Sequence, residues 1–330
     1  MNISADLSVP KVSVVVPALN ECSTLAALVQ GVAAAMATAG NIPYELILVD
    51  DGSTDGSWAE MARLAAQFPR VVRALRLRRN FGKADALMAG FRCARGAAIV
   101  TMDADLQDDP KEIPRFLAKL EEGYDLVSGW KERRQDPLDK TLPSKLFNMV
   151  TARVTGLALR DFNCGFKAYR AEVLRNIRLY GELHRYIPAL AHAQGFRIAE
   201  IPVEHHPRRH GVSKYGWERY VRGLLDLMTV VALTRYATRP GHLFGGVGVA
   251  LGFVSLVTLL YLTGIWMFTS ESIGHRPLLS FGVMTGVISV QLFCFGMLAE
   301  LITAKGDPID HDKLVAEVAA HPEPVPFREP

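Results

Sequence analysis

The chain has 330 residues, which is enough for one large domain and a smaller additional part. Its 37 Lys and Arg residues nearly balance its 34 Asp and Glu residues, and the net charge of +3 gives no argument for a nucleic-acid partner. The four cysteines are widely scattered (Cys22, Cys93, Cys164 and Cys294), which disfavours a zinc site or a disulfide framework and predicts reduced thiols in a cytosolic setting.

Short β-branched runs alternate with helix-forming segments over the first 130 residues. Strands are predicted at residues 12–16, 45–49, 71–77, 97–102 and 125–129, with helices that end near residues 39, 67, 94 and 121. This alternation is typical of a mostly parallel sheet with right-handed crossovers. The sequence lacks the glycine-rich loops of ordinary dinucleotide and kinase-type sites, so a bound nucleotide would have to be held by carboxylates and a metal ion.

The fourth predicted strand runs directly into the acidic segment Asp103-Ala104-Asp105-Leu106-Gln107. Residues two apart in an extended chain point to the same side, so Asp103, Asp105 and Gln107 can line one face at the carboxyl end of this strand. That edge of an open α/β sheet is where ligands usually bind. Carboxylate and amide oxygens are hard ligands suited to Mg²⁺ or Mn²⁺ bridging a diphosphate, which points to a sugar nucleotide. The alternative is an acidic loop that only caps the next helix.

The second predicted strand also ends in acidic residues, beginning with Asp50-Asp51-Gly52. The carboxyl ends of parallel strands meet at one sheet edge, so Asp50 is expected close to the later acidic segment. An N-cap or Asx-turn role before the next helix is the alternative for Asp50.

The last third of the chain contains two long apolar runs, Leu243–Phe268 and Leu278–Thr303. At about 1.5 Å per residue, either run could cross a ~30 Å hydrocarbon core as a tilted helix. Several arginines precede the first run, whereas the short connector holds only Arg276, so the positive-inside tendency places both ends of the hairpin in the cytoplasm. A buried core hairpin of a soluble protein is the alternative. Just before the hairpin, Trp217–Tyr236 has apolar residues at helical spacing, which predicts an amphipathic helix at the membrane interface or, equally, a core helix.

Several motifs resemble those of the inverting family 2 glycosyltransferases in order and spacing. The first three are residues 17–21 (Pro-Ala-Leu-Asn-Glu), 50–55 (Asp-Asp-Gly-Ser-Thr-Asp) and 103–107 (Asp-Ala-Asp-Leu-Gln). Within that family the chain is similar to the polyprenyl-phosphate branch, which includes the dolichyl-phosphate mannosyltransferases. The segments that carry this closer resemblance are residues 161–170 (Asp-Phe-Asn-Cys-Gly-Phe-Lys-Ala-Tyr-Arg), 184–188 (His-Arg-Tyr-Ile-Pro), 207–215 (Pro-Arg-Arg-His-Gly-Val-Ser-Lys-Tyr) and 238–242 (Thr-Arg-Pro-Gly-His). The resemblance covers nearly the whole chain beyond the first ten residues and implies a GT-A-type, Rossmann-like α/β domain.

The resemblance also implies how a donor substrate and a metal ion are held. Its assignments are Pro17, Leu19, Glu21 and Asp50 for the base and ribose of a nucleoside-diphosphate sugar, Asp103 and Ala104 for the sugar nucleotide, and Asp105 and Gln107 for Mg²⁺ or Mn²⁺. A divalent cation acts as a Lewis acid that stabilises the departing diphosphate. Loss of a metal-bound carboxylate such as Asp105 should therefore lower turnover more than affinity.

The implied acceptor is a polyprenyl phosphate, whose phosphate needs cationic or hydrogen-bonding partners. The candidates are Arg133 after the fifth strand, and Arg208, Ser213 and Lys214 in a second basic segment. Arginine can clamp phosphate oxygens with two hydrogen bonds, whereas lysine acts as a point charge. A solvated charged turn is the alternative for Arg133.

The family places a candidate catalytic base near Asp161. A phosphate monoester has a second pKa of about 6 and is mostly dianionic at neutral pH. It needs little deprotonation, so a general base adds less here than for a sugar hydroxyl. We therefore predict that Asp161 orients the acceptor or a basic side chain and acts as a base only secondarily.

These features predict an inverting, membrane-anchored transferase that makes a lipid-linked sugar on the cytoplasmic face of a bacterial-type inner membrane, with undecaprenyl or dolichyl phosphate as acceptor. One alternative is a processive polysaccharide synthase. That class has a Gln-x-x-Arg-Trp motif, whereas here Gln194 and Arg197 are followed by Ile198. The other alternative is a non-catalytic membrane scaffold with a relict transferase domain, which the intact acidic motif argues against.

The predicted organisation has five parts. They are an N-terminal extension (1–10), a GT-A domain (11–212), a juxtamembrane amphipathic region (213–238), two transmembrane helices (239–304, with spans at about 243–268 and 278–303) and a cytoplasmic tail (305–330). The spans contain Gly248-x-x-x-Gly252 and Gly282-x-x-x-Gly286, which allow close helix packing. These faces and the resemblance suggest a homo-oligomer, and no nucleic-acid partner is expected.

Overall fold

The computed structural model describes residues 9–131, 148–175, 177, 179, 181–204, 227–234, 236, 239–269, 272, 274 and 276–305. The chain divides into two compact units, Met1–Val231 and Ala232–Pro330. The division falls inside the predicted juxtamembrane region, and the boundaries given above for the five parts stay predictions.

The first unit is built on a seven-stranded sheet in the order β3-β2-β1-β4-β6-β5-β7. The strands are β1 (Val12–Ala18), β2 (Tyr44–Asp50), β3 (Val72–Arg76), β4 (Ala98–Thr101), β5 (Leu126–Lys131), β6 (Lys167–Arg170) and β7 (Ile198–Val203). β6 pairs antiparallel with β4 and β5, and all other neighbouring strands pair in parallel. The predicted mostly parallel sheet is confirmed, and the five predicted strands are present with ends shifted by at most two residues. β6 and β7 were not predicted.

Helices follow most strands, as expected for crossover connections. They are α1 (Leu25–Thr38), α2 (Ser57–Gln67), α3 (Lys83–Cys93), α4 (Ile113–Glu121), α5 (residues 148–155), α6 (Ala171–Arg175), α7 (Ile187–Ala193) and α8 (residues 227–234), with 3-10 turns at Pro110–Glu112 and Leu183–Tyr186. The predicted helix at 111–121 therefore begins as a 3-10 turn.

Apolar side chains cover both faces of the sheet. Along β1, Val14 and Val16 lie in one cluster with residues of α1 and α4, while Val15 lies in a second cluster with residues of α3 and α7. This alternation reflects the two-residue period of a strand, and a parallel sheet buried on both faces needs apolar residues at both phases. Fully burying each such valine contributes about 1.5–3 kcal/mol. The two-sided burial explains why the central strands read as continuous apolar runs.

The register of the ladder brings the carboxyl ends of four strands to one edge. Ala18 at the end of β1 pairs with Asp50 at the end of β2, and Asp50 pairs with Arg76 at the end of β3. On the other side of β1, Val15 pairs with Thr101 at the end of β4. The loops that follow these strands therefore lie side by side.

The predicted amphipathic region 217–236 lies largely outside the described residues. Its described part includes α8, whose Leu227 and Val230 are buried in the second apolar cluster. For these two residues the core-helix alternative holds, and a membrane-interface role for the remainder stays a prediction.

The second unit contains two helices, α9 (Pro240–Phe268) and α10 (Pro277–Lys305), each long and apolar enough to cross a membrane. Only 11% of the most apolar stretch of α9 and 17% of that of α10 is buried. The core helix of a soluble protein would be mostly buried, so these helices do not fit the buried-hairpin alternative.

The two helices pack through small residues. Ser255 Oγ donates a hydrogen bond to the Gly282 carbonyl at 2.7 Å, and Ser289 Oγ donates to that of Gly248 at the same distance. A Cβ atom added to Gly286 would lie 2.7 Å from Ser255 Oγ, which no ordinary contact permits. The close packing predicted from the two Gly-x-x-x-Gly patterns is therefore present.

Candidate active site

The loop after β1 is bonded to the loop after β2. Asn20 adopts a left-handed backbone conformation (φ 59°), its amide donates to Ser53 Oγ at 2.9 Å, and its side-chain Oδ1 accepts from the Thr54 amide at 2.8 Å. The Glu21 amide donates to Ser57 Oγ at 2.9 Å. These bonds bring the first two motifs of the sequence together, with Pro17 at the end of β1, Leu19 exposed and Glu21 half-buried.

Asp50 is fully buried at the end of β2. Its Oδ1 accepts a hydrogen bond from the Ser53 amide at 2.9 Å, which is the Asx-turn geometry considered as an alternative. Its Oδ2 lies 3.2 Å from Arg76 Nε, within ion-pair distance, but accepts no hydrogen bond from the described residues. Buried carboxylate oxygens normally accept hydrogen bonds, so the Asx turn satisfies only one of the two carboxylate oxygens of Asp50.

Asp51 fixes a third loop against the same edge, a role that was not predicted from the sequence. Its Oδ1 accepts from the Phe81 amide at 2.8 Å, and its Oδ2 accepts from the Gly82 amide at 3.0 Å. Burial raises the pKa of Asp51, and the two amide bonds only partly oppose this effect. The next residue, Gly52, has a φ of 76°, and a Cβ there would lie 2.5 Å from the backbone of Arg79, so no side chain fits. The consecutive residues Asp50 and Asp51 before this glycine were the sequence signal for the role of Asp51.

The loop held by Asp51 leads into α3, whose first residue carries a cation to the acidic segment. Lys83 Nζ makes a short ion pair with Asp103 Oδ1. Burial alone would raise the pKa of Asp103, but the charge and hydrogen bond of Lys83 outweigh it and hold the pKa below its usual value. Asp103 is therefore an anion at neutral pH. Lys83 was not predicted as a site residue, because only the folded chain shows which strand end it meets.

Asp105 and Gln107 lie in the turn after β4. Asp105 is 8% exposed, and its Oδ1 accepts from the Gln107 amide at 3.2 Å. Leu106 between them has a φ of 59°, a conformation that costs a leucine about 1 kcal/mol or more and that turns the chain sharply. The following 3-10 turn is capped by Asp109, whose Oδ1 accepts from the Lys111 amide at 3.0 Å. Because Asp109 supplies the cap, the capping alternative does not explain the earlier acidic residues.

The side-chain oxygens of Asp105 and Gln107 fit a divalent cation whose remaining ligands come from substrate and water. Within the ranges the structure describes, no group of three His, Cys, Asp or Glu side chains is placed to hold a metal ion by itself. A hard cation such as Mg²⁺ usually takes only one or two protein carboxylates and completes its shell with phosphate oxygens and water. The Asp105 carboxylate and the Gln107 amide match that pattern.

Residues 161–165 approach Asp103 from the other side of β4. A Cβ added to Gly165 would lie 2.9 Å from Asp103 Oδ2, and Thr101 Oγ1 donates to the Gly165 carbonyl at 2.9 Å. At the start of this segment Asp161 is buried, and its Oδ1 accepts from the Asn163 amide at 3.0 Å. The structure thus brings the segment that carries Asp161 to the same edge as the acidic turn. Within that turn Ala104 is buried.

His184 is a neutral group near this edge. Burial, followed by the nearby charge of Lys83, lowers the pKa of His184 to about 3. Its Nδ1 has no hydrogen-bond partner among the described residues. The sequence placed His184 in a motif but gave no signal for its burial. The four predicted acceptor residues Arg133, Arg208, Ser213 and Lys214 lie outside the described residues.

A mostly parallel sheet that ends in carboxylates at one edge, with one antiparallel strand beside the acidic turn, is the fold of a GT-A-type glycosyltransferase domain. The chain belongs to glycosyl transferase family 2, whose sequence model matches residues 13–178. The resemblance stated from the motifs is confirmed.

Relatives extend the match beyond the sheet domain. The chain is 43% identical to dodecaprenyl-phosphate galacturonate synthase of Rhizobium johnstonii, covering 88% of this chain and 87% of that protein. It is 38% identical to undecaprenyl-phosphate 4-deoxy-4-formamido-L-arabinose transferase of Klebsiella pneumoniae, covering 89% of this chain and 88% of that protein. The fold is also similar to glucosyl-3-phosphoglycerate synthase from Mycobacterium tuberculosis in complex with Mn²⁺, UDP-glucose and phosphoglyceric acid. That comparison has a TM-score of 0.52 at 18% identity over 68% of this chain and 79% of the other, so it concerns the fold alone.

Proposed function

We propose that the chain is a membrane-anchored, metal-dependent glycosyltransferase that moves a sugar from a nucleoside diphosphate to a polyprenyl phosphate with inversion. The observation that carries this proposal is the 43% identity to dodecaprenyl-phosphate galacturonate synthase over 88% of the chain. The part of the chain outside this alignment is shorter than the apolar hairpin. The alignment therefore includes part of the hairpin as well as the sheet domain.

The donor side of the proposed site is the edge formed by the ends of β1, β2 and β4. Pro17, Leu19, Glu21 and Asp50 are assigned to the base and ribose, and Asp103 and Ala104 to the sugar and its diphosphate. Support for Asp50 comes from its position at the end of β2, where the loop that follows it is hydrogen-bonded to the loop after β1. The Lys83–Asp103 ion pair supports a role for Asp103 as a fixed anion that orients sugar hydroxyls.

Asp105 and Gln107 are assigned to a divalent cation, either Mg²⁺ or Mn²⁺. When bound, the ion supplies Lewis-acid stabilisation of the diphosphate leaving group. The chain's own contribution is the turn at Leu106, which fixes the backbone between the two ligands, and the buried position of Asp105. A ligand held in place before substrate arrives needs little reorganisation during the reaction.

The acceptor side is assigned to Asp161 together with Arg133, Arg208, Ser213 and Lys214. A phosphate oxygen of the acceptor attacks the anomeric carbon, the bond from that carbon to the diphosphate oxygen breaks, and the nucleoside diphosphate leaves. The acceptor phosphate is already mostly dianionic at pH 7, so Asp161 orients it or a neighbouring cation and acts as a base only secondarily. The hairpin anchors the enzyme, with both of its ends and the sheet domain assigned to the cytoplasm of a bacterial-type inner membrane.

A substrate panel tests this function. Purified protein in detergent is incubated with labelled UDP- and GDP-sugars and undecaprenyl phosphate, with Mg²⁺ or Mn²⁺. We expect one sugar nucleotide to give an organic-soluble glycolipid only when the lipid phosphate is present, with the opposite anomeric configuration to the donor. A growing polymer would favour a processive synthase instead, and no product with any donor would refute the proposal.

The metal assignment is tested by chelation and by paired acidic variants. EDTA should abolish glycolipid formation, and added Mn²⁺ or Mg²⁺ should restore it. Asp105→Ala should lower kcat by about 100-fold or more with little change in the donor KM, because the metal acts mainly on the departing diphosphate. Asp109→Asn is the matched control, since asparagine also caps a helix and the variant should keep its activity. Equal activity of the Asp105 and Asp109 variants would contradict the assignment.

A further inference from the structure

A carboxylate on the edge strand holds the backbone at Asp161. Glu200 Oε1 accepts from the Arg160 amide at 2.9 Å and from the Asp161 amide at 3.0 Å, and its Oε2 accepts from the Arg160 amide at 3.1 Å. Two consecutive backbone N–H groups thus converge on one side chain. Hydrogen bonds to a charged acceptor are about twice as strong as neutral ones, so the position of residues 160–161 is strongly defined.

The peptide group that joins Arg160 to Asp161 is also held through its carbonyl oxygen. Asn148 Nδ2, on α5, donates to the Arg160 carbonyl at 2.8 Å. The Arg160 guanidinium lies over the Trp130 ring, 4.4 Å from its centroid, at the end of β5. Three elements therefore fix the residue that precedes Asp161. This is more restraint than a surface loop of the same length normally has.

Glu200 is unusual for its place in the strand. Along β7, Ala199, Ile201 and Val203 lie in the first apolar cluster, so Glu200 is on the other face between Ile198 and Pro202. It is half-buried there, and burial raises the pKa of its carboxyl group. A charge that points inward on an edge strand can simply discourage pairing with another chain. Preventing edge-strand pairing would not require hydrogen bonds to residues 160–161, whereas Glu200 accepts three hydrogen bonds from their backbone amides.

We propose that Glu200 is a positioning residue, which sets where the Asp161 carboxylate lies by holding the amides of Arg160 and Asp161. The inference rests on the acceptor-side role proposed above for Asp161. The segment is pinned at its other end where Gly165 packs against Asp103, so Glu200 controls the end that carries Asp161. A misplacement of about 1 Å in a group that orients a reactant can cost about 100-fold in rate.

Kinetics with the active donor from the panel test this positioning. Glu200→Ala should lower kcat by about 10- to 100-fold while the donor KM stays within twofold. In an Asp161→Ala background the same change should cost less than twofold, because there is no longer a carboxylate to position. Glu200→Gln, which keeps one acceptor oxygen, should fall between wild type and Glu200→Ala. Glu121→Ala, an exposed glutamate on α4, is the control and should match wild type.

Amide hydrogen exchange gives a readout that does not depend on turnover. The amides of residues 160–161 should exchange faster in Glu200→Ala, and to a lesser degree in Glu200→Gln, while β4 stays protected. Unchanged exchange, an equal loss of kcat in both backgrounds, or a donor KM that rises with the loss of kcat would overturn the inference. If Glu200→Ala fails to fold, Glu200→Gln is judged by the same criteria. An inactive wild-type protein would refute the proposed function instead, and exchange would still decide whether Glu200 holds the two amides.

Discussion

Gly165 offers a direct way to disturb Asp103 without changing any charge. A Cβ atom at position 165 would lie 2.9 Å from Asp103 Oδ2 and 3.0 Å from the other two carboxylate atoms. Ordinary contacts begin near 3.4 Å, so in Gly165→Ala the carboxylate has to move by roughly half an ångström. Overpacking of this kind costs about 1–3 kcal/mol in stability. The displaced carboxylate also loses its alignment with Lys83.

We expect Gly165→Ala to lower kcat/KM for the donor by about tenfold, since a 1 Å displacement costs about 100-fold. The assay is steady-state glycolipid formation over a range of donor concentrations, together with calorimetric binding of the nucleoside diphosphate of the donor that proves active in the panel. Gly245→Ala is the control, because a Cβ at Gly245 meets nothing within 4 Å. Wild-type kcat/KM for Gly165→Ala would show that Asp103 tolerates displacement and would refute the role given to the contact with Gly165.

Two further predictions concern stability. The pKa of His184 is lowered to about 3, so below pH 6.5 the unfolded chain binds a proton that the folded chain does not, and stability is lost as pH falls. Thermal unfolding of His184→Gln should therefore depend less steeply on pH between 6.5 and 4, by up to about 1.4 kcal/mol per pH unit, and identical slopes would contradict the assigned burial. In the hairpin, a Cβ at Gly248 would lie 3.0 Å from the Ser289 carbonyl, so Gly248→Leu should separate α9 from α10 and lower the unfolding temperature in detergent. Gly264→Leu, with no neighbour within 4 Å, should not, and equal losses in both variants would rule out the packing argument.

The parts of the fold that the sequence predicted are those with a strong local signal. β1 and β2 are β-branched runs buried on both faces, so their pattern depends on nothing distant. The acidic turns follow such strands directly, which is why Asp50 and Asp105 could be placed at one edge from the sequence. The hairpin was predictable for the same reason, since its length and composition are properties of the segment itself.

The parts that were missed depend on contacts between distant segments. β6 is only four residues long and contains the buried Lys167, whose Nζ donates to the Cys164 carbonyl, so its composition does not read as a strand. The bond from Glu200 to Asp161 spans 39 positions, and the ion pair of Lys83 with Asp103 spans 20. No local pattern encodes such pairs, and they became visible only once the strand order was known.

The reversed direction of β6 determines which loops can meet at the edge proposed as the active site. In a fully parallel sheet, the loops at the carboxyl-end edge are those that leave a strand and lead into a helix. β6 begins there, at Lys167 opposite Thr101, so the segment that precedes it arrives at the same place. Of the seven strands described, this is the one whose incoming connection joins the site. Under the assignments proposed above, substitutions in that connection change the acceptor side of the site and leave the helix-opening turns assigned to the donor unchanged.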